Sequence, residues 1–184
     1  MFHPGGDHSA NNRSNSKHMK LFQNTYGKTA HQRQLIFPSR ITEIKVSYTR
    51  KVKDEDRIKI TCSDDAVDVL RARWKKNRIQ YVEEFKVLLL DRGNRVLGVH
   101  NVSQGGQAGC VVDPKIIFGA ALKAHSASLI MFHNHPSGQL TPSEADCKLT
   151  RKLKEAGQML DLPVLDHIIL TQSAYYSFAD NGVL

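Results

Sequence analysis

The chain has 184 residues and a net charge of +8, with 40% hydrophobic and 24% charged residues. These values are typical of a soluble globular protein with a single well-buried core, and they argue against two such cores. No apolar run approaches the roughly 18 residues of a membrane span. The polar N-terminus also lacks the charged-then-apolar order of a secretory signal. We therefore expect a cytoplasmic protein with no membrane partner.

Positive charge is concentrated towards the N-terminus. Residues 1–53 contain ten Lys and Arg against two acidic residues, whereas residues 54–184 contain sixteen of each. Residues 1–39 show no sustained apolar periodicity and cannot bury enough surface to offset their ordering entropy. We expect a disordered basic tail over 1–39, followed by one folded domain over 40–184. A basic arm can hold nucleic acid through phosphate contacts, although a solvated tail is the simpler interpretation.

The pair His18-Met19 resembles the junction between an added leader and a native start, which would make residues 1–18 foreign to the protein. The cysteines are odd in number, far apart and in no C-x-x-C pair: Cys62, Cys110 and Cys147. They predict neither a disulfide framework nor a cysteine zinc cluster, and we expect reduced thiols.

Strands and helices are expected to alternate from Arg40 onward. Alternating apolar residues predict a first strand, and Ser63 followed by acids predicts the N-cap of a helix that reaches a buried Trp74. An apolar strand and a turn then predict a hairpin. The predicted segments are a strand over 40–49, a helix over 64–74, a strand over 81–90, a turn over 91–94 and a strand over 95–102.

The second half of the chain repeats this alternation. Asp113 and Pro114 predict a helix start, and the helix is expected to run to about His125. A buried strand over 127–133 would complete a strand–helix–strand unit. The remaining predicted elements are a loop over 136–142, a helix that begins at Ser143, a core strand over 163–170 and an edge strand over 175–178. The helix is expected to be weakened near Gly157, and its inward-facing residues are Leu149, Leu153, Ala156 and Leu160.

A group of metal-binding side chains follows the strand over 127–133. Side chains alternate along a strand, so His133 and His135 point to the same side and can reach one ion. Asp146 follows in the first turn of the next predicted helix. Ser143 with Asp146 also fits an ordinary helix capping box. Capping alone leaves the paired histidines unexplained, and two His and one carboxylate with an open fourth position fit a catalytic zinc.

These residues carry a family resemblance. The spacing His133-x-His135, then seven residues, then Ser143-x-x-Asp146, with an upstream glutamate, resembles the JAMM motif of the JAB (MPN) metalloprotease domain. The words His-Asn-His-Pro-Ser-Gly, Pro-Ser-Glu-Ala-Asp, Leu-Asp-His-Ile-Ile and Glu-Glu-Phe-Lys-Val-Leu-Leu-Leu-Asp are similar to the RadC-like branch. The resemblance extends over roughly 40–184. It implies an α/β fold with a mixed sheet flanked by helices, in a cytidine-deaminase-like layout.

The resemblance also implies roles. His133, His135 and Asp146 correspond to zinc ligands, and Ser143 to the serine that bonds the water or the developing oxyanion. Glu83 matches the general acid/base, two residues before a phenylalanine. Strand alternation favours Glu83 as well, because it shares a face with apolar residues, but on that argument alone Glu84 stays open as the alternative.

The implied function is that of a zinc metallohydrolase of the JAMM type, with a peptide or isopeptide as its substrate. Zinc-activated water would attack an amide carbonyl. The alternative function is a DNA-associated accessory protein whose metal site is not catalytic. A zinc nucleobase deaminase is excluded, because the H-x-E and P-C-x-x-C words are missing from the chain. For Asp166-His167 we expect His167 to be a hydrogen-bonded core histidine. The second interpretation is that Asp166 and His167 form a pair that supports the metal ligands from behind.

Overall fold

Helices and strands alternate along the chain in the computed structural model, which describes Thr49 and residues 52–106 and 109–184. The predicted basic tail and the predicted strand over 40–49 lie outside the described residues, apart from Thr49. After a 3-10 turn at Asp54–Asp56 come α1 (Ser63–Arg73), β1 (Glu84–Leu90), β2 (Val96–Gln104), α2 (Pro114–Lys123), β3 (Ser128–Asn134), α3 (Glu144–Met159), β4 (Val164–Leu170) and β5 (Tyr175–Ser177).

The strands form one mixed sheet in the order β2-β1-β3-β4-β5. β3 and β4 are parallel, and the other neighbouring strands are antiparallel. Helix α3 connects the parallel pair, as a crossover between parallel strands requires. β1 and β3 lie side by side within the sheet, and every residue of both strands is buried. The predicted mixed sheet and hairpin are confirmed.

Helices cover both faces of this sheet. Alternate residues of the inner strands point to opposite sides, so Leu88 and Phe132 join a core with α1, whereas Val87 and Met131 join a core with α2 and α3. Trp74 belongs to the α1 core and is 5% exposed, as predicted. The predicted α/β layout with flanking helices is therefore confirmed. Among the described residues, no helix is both long enough and apolar enough to cross a bilayer.

The helix starts agree with the sequence at two of three positions. The Asp113 side chain accepts from the Lys115 N–H at the start of α2, and Ser143 caps α3 as predicted. Ser63 is instead the first residue of α1: its hydroxyl donates to Asp180, and Cys62, at the N-cap position, makes no side-chain cap hydrogen bond. A tertiary partner far along the chain therefore replaces the predicted cap.

One prediction near a helix end is wrong, and another is met to within two residues, because α2 ends at Lys123. Leu160 is 43% exposed because α3 ends just before it, so it does not continue the inward stripe. His125 lies beyond the end of α2 and has a left-handed φ of 55°. Gly157 lies within α3, where a Cβ would stand 2.5 Å from the Leu162 carbonyl oxygen. That close approach of two backbones requires glycine.

Candidate metal centre

The two histidines project from the end of β3 towards one point. His133 pairs with Phe85 of β1 and with Ile169 of β4, which fixes its place at the centre of the sheet. The Nε2 atoms of His133 and His135 lie 2.9 Å apart. The Nδ1 atom of His135 lies 2.7 Å from the Gln139 carbonyl oxygen, so it must donate its proton there and leave Nε2 with the lone pair.

Asp146 reaches the same point from the first turn of α3. Its Oδ1 lies 3.2 Å from Nε2 of His133, and its Oδ2 lies 3.7 Å from Nε2 of His135. Both halves of the predicted capping box with Ser143 are present. The Ser143 hydroxyl donates to Asp146 Oδ2 at 2.6 Å, while Ser143 Oγ accepts from the Asp146 N–H at 3.1 Å. The cap therefore holds the carboxylate towards the histidines.

These donor atoms fit a metal ion. Two ligands of a tetrahedral zinc, each about 2.0–2.2 Å from the ion, stand roughly 3.4 Å apart. The nitrogen and oxygen atoms of His133, His135 and Asp146 all lie within 4.8 Å of one another. Two imidazole lone pairs 2.9 Å apart repel each other, and a cation between them would remove that repulsion. Imidazole and carboxylate form a donor set suited to zinc.

Electrostatics at the cluster favour an ionised carboxylate beside the rings. Burial opposes ionisation of Asp146, but its interactions with the rings of His133 and His135 outweigh burial and hold the pKa of that carboxyl well below its usual range. The hydrogen bond with Asp146 in turn raises the pKa of His135 above its ordinary value, against the effect of burial. The cluster therefore presents negative charge to a cation.

Glu83 faces the same cleft from the residue that precedes β1. Its backbone N–H donates to the Gly106 carbonyl, and its carbonyl accepts from the Gly105 N–H, so the loop after β2 holds its backbone in place. Burial raises the pKa of the Glu83 carboxyl, while charge interactions with His133 and His135 oppose the rise. A raised pKa suits a group that must both accept and return a proton.

Glu84 has a different environment. Its carboxylate bonds Arg78 Nε at 2.5 Å and Lys86 Nζ at 2.9 Å, and it lines a cleft separate from that of the histidines. Burial raises its pKa, but bonds and charge interactions with Lys86 and Arg78 outweigh that and lower it overall. Of the two carboxylates that the sequence left open, the structure brings only Glu83 to the histidines.

The cleft in front of the cluster has a volume of about 460 Å³. The predicted site residues Glu83, His133, His135, Ser143 and Asp146 line it, together with Phe85, Gly109, Cys110, Ser137, Gln139, Thr141, Ala145 and Leu149. Cys110 was not tied to the site by sequence. Its thiol pKa is raised by burial, so it remains protonated in the cleft. Cys147, which the sequence placed near the site, lines a separate cavity.

Asn134, between the two histidines, was not singled out by the sequence. Its side-chain oxygen accepts from the Glu84 N–H at 2.7 Å, and its amide nitrogen donates to the carbonyls of Ile79 and Val82 at 2.8 and 2.9 Å. The side chain is fully buried. Asn134 therefore ties the strand that carries the histidines to the segment that carries Glu83.

His167 lies behind the histidine pair on β4. The ring is completely buried, and its Nε2 lies 2.8 Å from Nδ1 of His133. Asp166 does not pair with this ring, because its carboxylate accepts from Ser177 and from the N–H groups of His167 and Ala179. The preferred prediction of a hydrogen-bonded core histidine is therefore correct, and the ring also contacts a predicted metal ligand. The Asp166–His167 side-chain pair is not formed.

A mixed sheet with paired histidines at the end of a central strand, and an acid in the next helix where the three side chains could hold a metal ion, is the arrangement of an α/β domain of the JAB type. The family comparison agrees. The chain belongs to the family of RadC-like JAB domains, whose sequence model matches residues 60–183.

Individual relatives share this part of the chain. A UPF0758 protein of Flavobacterium johnsoniae is 42% identical over 137 residues, which are 73% of this chain and 58% of the relative. A UPF0758 protein of Salinibacter ruber is 35% identical over 157 residues, which are 80% of this chain and 64% of the relative. A third, of Pelobacter propionicus, is 46% identical over 102 residues, which are 55% of this chain and 44% of the relative. The matched part thus spans about half to two thirds of each relative.

Proposed function

We propose that the chain is a zinc-dependent hydrolase of peptide or isopeptide bonds. The observation that carries the proposal is the convergence of His133, His135 and Asp146 on one point of a cleft that Glu83 also lines. Three protein ligands leave a fourth position of a tetrahedral zinc for water or substrate. A structural zinc would need neither this open cleft nor a carboxyl whose pKa burial raises.

The three ligands would hold the zinc through two imidazole nitrogens and one carboxylate oxygen. Zinc at this place supplies Lewis acidity, which lowers the pKa of water and polarises a carbonyl group. Asp146 suits the role because it stays ionised at any physiological pH. His135 suits it because its Nδ1–H is already donated to the Gln139 carbonyl.

Glu83 would move the proton. In amide hydrolysis a water oxygen bonds to the carbonyl carbon, the C–N bond breaks, and the leaving nitrogen takes up a proton. Glu83 accepts a proton from the attacking water and returns it to the leaving amine, so the carboxylate is regenerated. Its raised pKa reduces the cost of the protonated state between these two transfers.

Ser143 would assist at the oxygen that becomes negative. It precedes the first turn of α3, where the helix dipole favours negative charge. Its hydroxyl proton is donated to Asp146 Oδ2, so Ser143 can turn towards an oxyanion only when that bond is released. Capping and catalysis therefore compete for one hydroxyl group, which predicts that Ser143→Ala lowers the rate more than it lowers zinc binding.

The test combines metal analysis with cleavage of a mixed peptide and isopeptide library. We expect one zinc per chain in the wild type and in Glu83→Gln, and no bound zinc in His135→Ala. Cleavage products should appear with the wild type and disappear with Glu83→Gln. The matched variant Glu84→Gln should still cleave under conditions in which it is folded. Absence of zinc from both the wild type and Glu83→Gln would refute the proposal, as would equal cleavage by Glu83→Gln and the wild type.

A second candidate function is that of a nucleic-acid-associated accessory protein. The ten basic residues within 1–53 favour it, and so does a second cleft of about 390 Å³. Four cations line this cleft, Arg73, Lys75, Arg78 and Lys86, whereas Glu84 is the one carboxylate that lines it within residues 52–106 and 109–184. A surplus of positive charge attracts phosphate groups.

Salt-dependent binding to duplex DNA tests this second function. Replacing both Arg73 and Lys75 by Ala should reduce the slope of log affinity against log salt by about 2, if both cations contact phosphate. Arg92→Ala, in the hairpin turn, is the matched control. If DNA binding were unchanged in the double variant, the second cleft would not be the DNA-binding surface. Binding that vanishes when residues 1–39 are deleted would assign it to the tail.

A further inference from the structure

Two buried side chains behind the predicted metal ligands, Thr150 and His167, form a continuous series of hydrogen bonds. The Thr150 hydroxyl donates to the Asp146 backbone carbonyl at 2.6 Å. The same oxygen lies 2.6 Å from Nδ1 of His167, whose Nε2 lies 2.8 Å from Nδ1 of His133. This series of hydrogen bonds thus starts at one predicted metal ligand, Asp146, and ends at another, His133.

The direction of each bond follows from counting protons. A carbonyl oxygen only accepts, so the single hydroxyl proton of Thr150 goes to the Asp146 carbonyl. The Thr150 oxygen must then accept from His167 Nδ1–H. In a neutral ring the lone pair lies on the other nitrogen, so His167 Nε2 accepts from His133 Nδ1–H. The remaining lone pair of His133 is therefore on Nε2, the atom that faces His135 and Asp146.

The surroundings of His167 keep its ring neutral and fixed. The residue is 0% exposed, and no described carboxylate bonds to its ring nitrogens. It stacks on Phe178 with ring centroids 4.9 Å apart, and it packs against Phe85 at 5.5 Å. A charged imidazole in such apolar surroundings would be costly. Packing against these two rings also leaves the imidazole little freedom to rotate.

We propose that His167 and Thr150 are positioning residues that hold His133 in the tautomer whose Nε2 lone pair binds the metal. The proposal deepens the proposed zinc centre and rests on it for its effect on metal affinity. The tautomer itself is a property of the metal-free protein. His135 is set separately, because its Nδ1–H donates to the Gln139 carbonyl.

Thr150→Val tests the proposal with little change of side-chain shape. Without the hydroxyl oxygen, a proton on His167 Nδ1 has no acceptor, so the proton is favoured on Nε2. His167 Nε2–H then donates to His133 Nδ1, which places the His133 proton on Nε2 and removes the lone pair from the ligand cluster. Loss of a hydrogen bond behind a metal ligand typically lowers metal affinity by about 10- to 100-fold.

Two measurements on the full chain give separate readouts. Nitrogen NMR of histidine-labelled, metal-free protein, well above the ordinary histidine pKa, reports which nitrogen of each ring carries the proton. Competition with a chelator gives the zinc dissociation constant. In the wild type we expect the proton of His133 on Nδ1, and in Thr150→Val on Nε2 with weaker zinc binding. The proton of His135 should stay on Nδ1 in both proteins, because it is donated to the Gln139 carbonyl, and this tautomer serves as an internal reference.

Two matched variants separate positioning from loss of stability. Thr150→Ser keeps the hydroxyl, so it should retain the wild-type tautomer and zinc affinity. Thr171→Val removes the hydroxyl of another buried threonine, which bonds only to the Ala174 backbone, and it should change neither readout.

The outcomes distinguish this proposal from the proposed function. A wild-type His133 proton on Nε2, or the same tautomer in Thr150→Val as in the wild type, would overturn the positioning role. Equal losses of zinc affinity in Thr150→Val and Thr171→Val would overturn it as well. A wild-type protein that binds no zinc would contradict the zinc centre, while the tautomer measurement on the metal-free protein would still decide the positioning role.

Discussion

At the residue scale, two adjacent glutamates show how environment separates chemical roles. Glu83 has no cationic partner that bonds its carboxylate among the described residues, and burial raises its pKa. Glu84 is 8% exposed and is held by Arg78 and Lys86, whose charges lower its pKa. A carboxyl with a raised pKa can exchange protons, whereas a paired one stabilises the fold. The first therefore suits catalysis and the second suits structure.

Glu84→Gln should destabilise the protein, because it leaves Arg78 and Lys86 without their carboxylate. Removing one partner of a buried ion pair costs about 3 kcal/mol. The Glu84 pKa is lower in the folded than in the unfolded protein, so its contribution is full above the unfolded value, 4.5 in peptides. The contribution is lost as pH falls through the folded pKa. Urea unfolding of the wild type and Glu84→Gln across this range measures the difference.

Glu83→Gln is the matched control for this measurement. Its carboxylate is destabilised by burial, so the neutral amide should leave the free energy of unfolding unchanged or increase it at neutral pH. A loss in Glu83→Gln as large as that in Glu84→Gln would contradict the assignment of the two environments. The assignment would also be contradicted if the free energies of unfolding of Glu84→Gln and the wild type still differed at a pH below the folded pKa of Glu84.

At the element scale, local patterns were predictable from the sequence, whereas side-chain partners were not. The alternation along β1 and β3, and the capping box of α3, involve residues within a few positions of each other. Asn134, in contrast, bonds a carbonyl 55 residues away, and His133 bonds a ring 34 residues away. Such pairs depend on which strands are neighbours in the sheet. The Ser63 cap was mispredicted for the same reason, since its partner Asp180 is 117 residues distant.

Asn134→Ala should test the link between β3 and the segment before β1. The change leaves one buried N–H and two carbonyls without their partner, and each unsatisfied group costs about 1–3 kcal/mol. We expect a loss of at least 2 kcal/mol in urea unfolding and faster amide hydrogen exchange near Glu83. Asn101→Ala, which removes a bond to Lys86 at the sheet edge, is the control. Equal exchange near Glu83 in both variants would contradict the link.

At the scale of the whole molecule, the candidate metal centre connects a central strand of the sheet with the helix that packs on it. Its ligands come from the end of β3 and the first turn of α3. An ion that binds only the assembled cluster must stabilise the folded state, because the unfolded chain holds these side chains apart. The stabilisation reaches about 2.7 kcal/mol when free zinc is 100 times its dissociation constant. At about 2–4 °C per kcal/mol, Tm should rise by roughly 5–11 °C.

Scanning calorimetry with zinc, magnesium or a chelator tests this stabilisation. Zinc should raise Tm of the wild type and of Glu83→Gln, because both keep the three ligands. Magnesium should not, since it prefers six oxygen ligands to imidazole. His135→Ala should lose the zinc-dependent rise while remaining folded, because its side chain is not part of either hydrophobic core. A rise of equal size in His135→Ala would show that the stabilising zinc binds at histidines outside the cluster.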